Sequence, residues 1–254
     1  MVTVESAPSR MHNASLSAAS QLAASGRFGK GIGNFGPETD EAVRDLKVER
    51  TPALDAMMEA WVKTRFLPGV VVALAKPGSR FGLIDPRMEY YKDFSRAVGG
   101  LRYDAGDIGR FCVALAASMD EKEFAVRAGV ALSVLMNRGP SSEYAICADH
   151  LAGRVDSIGY LNTKKVMIVG SVGKDCGMRM KGGSILVRGD AGEYAGMDME
   201  GGLLTIEGYL GACLAPGMKG GEIHIQHDYS HCNREGGRIF LKGVQVWPMR
   251  DELK

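Results

Sequence analysis

A glycine pattern that renews itself every 19 residues constrains this chain more than any other feature. Three segments superimpose at that spacing: Gly173 to Gly189, Gly192 to Gly208 and Gly211 to His227. They share the pattern G-x3-G-x2-M-x-G-G-x-[IL]-x-[VI]-x-G, with Ala215 and His227 as the departures of the third segment. Weaker copies flank them. Lys165 to Gly170 keeps the apolar positions without the glycine pair, and Gly236 to Gly243 repeats the end of the pattern after a shorter turn of 16 residues. Repeats of this length are single structural units that bury their apolar faces only by stacking.

Each unit is readable. G-G-x-[IL]-x-[VI]-x-G alternates apolar and polar positions, as a half-buried strand does. Its glycines stand where the chain must turn sharply. Stacked units place equivalent strands side by side and parallel, about 4.8 Å apart. The expected inner ladders are Val166, Ile185, Leu204, Ile223 and Ile239, with Ile168, Val187, Ile206, Ile225 and Leu241 beside them. The expected corners are Gly173, Gly177, Gly182, Gly183, Gly189, Gly192, Gly196, Gly201, Gly202, Gly208, Gly220 and Gly221. A disordered glycine-rich linker has neither a strict period nor apolar residues at fixed offsets. The sequence therefore predicts an α/β N-terminal module followed by a right-handed parallel β-helix of about five coils.

Glycine usage marks the boundary: 20 of the 34 glycines fall between Gly153 and Gly243. The predicted organisation is an arm over 1–50, a mixed α+β module over 51–150, the β-helix over 151–248 and a tail over 249–254. Gly31-Ile-Gly33-Asn-Phe-Gly36 fits G-x-G-x-x-G. No strand precedes it and Pro37 follows, so it reads as part of an arm rather than a dinucleotide loop. Leu16 to Ser25 reads as a short alanine-rich helix and Gly69 to Lys76 as a strand. Thr51 and Pro52 open a helix that runs to about Phe66. Further helices are expected over Asp107 to Ser118 and over Asp120 to Asn137, the latter capped by Asp120.

The net charge of +1 gives no electrostatic case for a nucleic-acid partner. No apolar run approaches the roughly 20 residues of a membrane span, and the N-terminus lacks the apolar segment of a secretory signal. Five cysteines with no two within four residues of each other exclude C-x-x-C sites and read as reduced thiols of a cytoplasmic protein.

One cluster bears chemistry. His224, His227, His231 and Cys232 bring three of the five histidines and a thiol into nine residues, with Asp228 among them. These donors suit zinc or iron, but the spacing matches no known ligand motif. The cluster reads as solvated or hydrogen-bonded histidines at a coil corner. Arg179, Lys181, Lys219 and Lys174 share their turns with Asp175, Asp198 and Glu200, a mixed polar surface. No catalytic or cofactor-binding residue is expected.

The run Met180-Lys-Gly-Gly-Ser-Ile-Leu-Val-Arg-Gly189 through Gly196 to Gly202 resembles the repeat of the GXGXG-type subunit of formylmethanofuran dehydrogenase. It is similar also to the C-terminal domain of the large subunit of glutamate synthase, another GXGXG β-helix. The ending Gly236 to Pro248 resembles the close of the formylmethanofuran dehydrogenase type. The resemblance covers about Gly153 to Pro248. It implies a non-catalytic structural subunit of a multi-subunit oxidoreductase of one-carbon metabolism, with no cofactor in this chain. Partner subunits would carry a molybdenum or tungsten pterin, a dinuclear metal amidohydrolase site, iron–sulfur clusters or, in the glutamate synthase branch, flavin. The N-terminal half resembles no family. Two further readings stand beside the first: a β-helix subunit of a glutamate-synthase-like amidotransferase, and a free-standing enzyme with its site in the N-terminal half.

Overall fold

The computed structural model describes residues 48–67, 85–153, 155–230 and 234–248. The expected helix at Leu16 to Ser25, the strand at Gly69 to Lys76 and the Gly31–Gly36 loop lie outside them.

Among the described residues four helices precede the sheet: α1 (Pro52–Lys63), α2 (Pro86–Ala97), α3 (Ala105–Ala114) and α4 (Phe124–Arg138). Thr51 caps α1, its hydroxyl accepting from the Leu54 N–H at 3.0 Å, with Pro52 at the first position. Asp85 and Pro86 open α2 in the same way. In α3, Asp104 and Asp107 form a reciprocal capping box. Two of the predicted helices differ in extent. The one expected over Asp107 to Ser118 divides into α3 and a 3-10 turn over Leu115–Ser118. The one expected from Asp120 begins only at Phe124. Tight turns from Glu121 N–H to the Ser118 carbonyl and from Phe124 N–H to the Glu121 carbonyl occupy the intervening residues, and Glu123 sits at φ 58° with no capping bond. Asp120 is thus not a cap.

Seven strands then form one sheet in sequence order: β1 (Glu143–Cys147), β2 (Lys165–Val169), β3 (Ser184–Arg188), β4 (Leu203–Ile206), β5 (Glu222–Ile225), β6 (Arg238–Leu241) and β7 (Val244–Trp247). The first six pair in parallel, so the chain is a β-solenoid of about five turns with a helical region at its N-terminal end. The pairings Lys165↔Ser184, Ser184↔Leu203 and Leu203↔Glu222 each span 19 residues, and Glu222↔Arg238 spans 16. Val166, Ile185, Leu204, Ile223 and Ile239 stand in one row, and Ile168, Val187, Ile206, Ile225 and Leu241 in the next.

The sheet starts one strand before the segment read as coils. Glu143↔Lys165 is an offset of 22, and Tyr144 and Ile146 head the two inner rows. It ends with a reversal. Lys242 and Gly243 both have positive φ, the geometry of a two-residue hairpin turn, and β7 returns antiparallel with a bulge opposite Ile239/Phe240.

The core is continuous from Trp61 and Phe111 in the helices through Ile158 and Val187 to Ile239. Gly129 permits a close approach of α4 to the coil segment at Asp156. A Cβ there would collide with the backbone of Asp156. Ser133 fixes the same junction, its hydroxyl donating to the Gly129 carbonyl at 2.6 Å and accepting from the Gly159 and Tyr160 N–H groups.

Candidate functional site

The two described histidines of the cluster, His224 and His227, are engaged separately. His224 projects from β5, its Nε2 lies 3.2 Å from Glu222 Oε2, and its ring packs on Phe240 at 4.6 Å. His227 instead stacks on Tyr209, with ring centroids 4.1 Å apart. Each imidazole is thus engaged with a different aromatic ring. His231 and Cys232 lie outside the described residues. Among the described residues no group of three His, Cys, Asp or Glu is arranged to hold a metal ion.

The glycine corners fall into three kinds. Gly177, Gly183, Gly196, Gly202 and Gly221 have positive φ. At Gly173, Gly189, Gly192, Gly201, Gly208 and Gly220 a Cβ would run into a neighbouring coil. Gly182 faces open space. Gly183, Gly202, Gly221 and Gly237 pave a surface groove of about 630 Å3, with Glu222 and Arg238 on its wall. The groove holds an ion pair between those two side chains, but no set of acid, base and nucleophile. On the turns read as a mixed polar surface, Lys174 pairs with Glu193 at 2.8 Å, and Arg179 with Asp85 and Asp198.

A polar cluster built on Asp85, Arg87, Tyr160, Asp175 and Arg179 has no sequence signature of its own. It lies where α2 meets the coil turns. Tyr160 donates to Asp85 Oδ2 at 2.8 Å, and Arg179 Nη1 lies 3.3 Å from the same oxygen. Arg87 Nε donates to the Ser157 hydroxyl at 2.9 Å, and its Nη2 donates to Asp175. Asp175 is nine-tenths buried, with a side-chain exposure of 8%. Burial pushes its carboxyl up, against the pull of the Arg87 guanidinium. Burial pushes the Tyr160 hydroxyl up as well, and the Asp85 carboxylate adds to the effect. Every charge here has a partner within the seam, which joins helix to solenoid. The only local signal is Asp85-Pro86, a helix start, with no hint of the 88 residues that separate Arg87 from Asp175.

The thiols divide unequally. Cys112, Cys147 and Cys176 are free. Cys213, on a coil turn at φ 62°, is disulfide-bonded, which corrects the expectation of reduced thiols throughout. Burial pushes the Cys176 thiol up to about 12 and moves Cys112 further still. Among the described residues no helix is long and apolar enough to cross a membrane.

Comparison with protein-family models, with curated proteins and with solved structures found no match for this chain.

Proposed function

We propose that this chain is a structural subunit of a multi-subunit enzyme, an assembly scaffold whose partners hold the chemistry. The observation that carries the reading is the use of the repeat. Its apolar side chains fill two inner rows and its glycines form the corners, so the coils present an ordered polar exterior to a partner. The preferred complex is an oxidoreductase of one-carbon metabolism resembling formylmethanofuran dehydrogenase, supported by the repeat and by its ending from Gly236 to Pro248. The solenoid is taken as right-handed, the hand that nearly all parallel crossover connections adopt. The cytoplasm is the proposed location.

The test is purification of the complex from the native source under mild conditions, followed by identification of every co-purifying chain. Large subunits bearing a molybdenum or tungsten pterin and iron–sulfur clusters support the proposal. Co-purification with a glutamine amidohydrolase and a flavin subunit moves the chain to the glutamate-synthase-like reading. A monomer active by itself overturns both.

A further inference from the structure

The free thiols Cys112 and Cys147 share one contact. Cys112, on α3, directs its Sγ to the backbone carbonyl oxygen of Cys147 at the end of β1, 3.5 Å away. Within one residue the Cα and carbonyl oxygen are about 2.4 Å apart, so the Cys112 sulfur lies no more than about 6 Å from the Cys147 Cα. A formed disulfide brings that separation to about 4 Å, so closing the bond asks for an approach of at most about 2 Å. Cys147 is the partly exposed member and Cys112 is fully buried. His150 also joins this junction to α3, its Nε2 lying 3.0 Å from the Cys112 carbonyl oxygen.

We propose that Cys112 and Cys147 form an oxidative modification site, at which a peroxide-class oxidant converts the two thiols to a disulfide that pins α3 to β1. The exposed partner reacts first. The Cys147 thiolate attacks one peroxide oxygen and the O–O bond breaks, giving a sulfenic acid and hydroxide. The Cys112 sulfur then attacks the sulfenic sulfur and expels its hydroxyl, which leaves as water with the thiol proton. Two thiol hydrogens and two electrons pass to the peroxide, which ends as two waters. Burial raises the Cys147 thiol, against the backbone N–H of Asp149, which favours the thiolate. The reaction is therefore slow at neutral pH and, below that raised value, quickens about tenfold for each unit that the pH is raised. The site is a slow lock between the helical region and the solenoid, closing a separation of 35 residues.

The experiment treats the folded full-length chain with hydrogen peroxide at pH 7.5 and 8.5 and maps the non-reduced peptides by mass spectrometry. The expected product joins the Cys112 and Cys147 peptides, reverts with dithiothreitol, leaves Cys176 as a free thiol and forms about tenfold faster at the higher pH. Cys147→Ala should leave Cys112 reduced, and Cys112→Ala should let Cys147 proceed to the irreversible sulfinic acid. Far-UV circular dichroism keeps the comparison to folded protein, and Cys147→Ser serves if the alanine variant does not fold. Cys112 and Cys147 both surviving as free thiols, or Cys112 pairing with Cys176 instead, overturns the proposal.

Discussion

Two adjacent glycines with the same sequence signature carry different physical burdens. Gly183 has a φ of +67°, and a Cβ there would strike the backbone of Lys164 in the coil below. Gly182, one residue earlier, has no atom within 4 Å of such a Cβ. In the next coil Gly202, at φ +91°, is close to Met180 Cε and to the Gly182 backbone. Gly183→Val and Gly202→Val should each cost about 1–3 kcal/mol, the scale of a β-branched residue forced into a left-handed region. Gly182→Ala should change stability by no more than about 0.5 kcal/mol. Thermal or chemical denaturation of the three variants checks this, and equal losses at positions 182 and 183 would remove the conformational argument. The sequence shows the glycine pair as a unit because both members recur in four coils. Which member needs the positive φ depends on where the next coil passes.

Among the elements, those most legible in the sequence are those whose register repeats. β3, β4 and β5 follow a fixed 19-residue offset and their apolar alternation falls in phase. β1 has the same alternation in Glu143-Tyr-Ala-Ile-Cys147, but its offset of 22 hides it from a search for period. α2 escapes a sequence reading for a different reason: only Tyr90 and Phe94 of its twelve residues are buried, so apolar periodicity is faint and the helix is held by its polar end. That end makes a prediction. Arg87→Met leaves Asp175 buried beside Ser157 without its cation, which should cost about 3–5 kcal/mol, whereas Asp175→Asn should cost less because the remaining Arg87 cation is more exposed and keeps Asp85 as a partner. The pH dependence follows from the direction of the Asp175 shift. Its folded carboxyl lies above the unfolded value, so the folded state holds the proton more tightly and the group destabilises the fold as pH rises through that window. Removing Arg87 takes away the lowering influence and pushes the carboxyl higher. The deficit of Arg87→Met should therefore shrink on acidification through the carboxylate range. Urea melts at pH 4 and pH 7 test it, and a deficit that grows toward pH 4 contradicts the assignment.

For the whole molecule, the two ends of the solenoid are finished differently, and both finishes bear on function. At the N-terminal end α3 packs on β1, and the Cys112 thiol meets the Cys147 carbonyl. At the other end a tight hairpin lays β7 antiparallel on β6, with a bulge and then Pro248, devices that blunt a sheet edge against uncontrolled pairing. Six parallel strands span about 24 Å between these ends, so the faces and corner turns, rather than open edges, are the surfaces left for a partner. Under the scaffold reading the side chains on those faces contribute to contact and not to bond-making. His224 and His227 are the sharpest test because imidazole is the commonest acid–base group, yet one rests on Phe240 and the other on Tyr209. Replacing His224, His227, His231 and Cys232 by alanine or serine, singly and together in the assembled complex, should leave turnover per complex within about threefold of the wild type. A positioned acid–base group contributes about 10²-fold or more. A loss of that size with assembly intact would assign this chain a catalytic role. Loss of assembly with unchanged turnover in the complexes that still form would instead identify the face carrying Phe240 and Tyr209 as the docking surface.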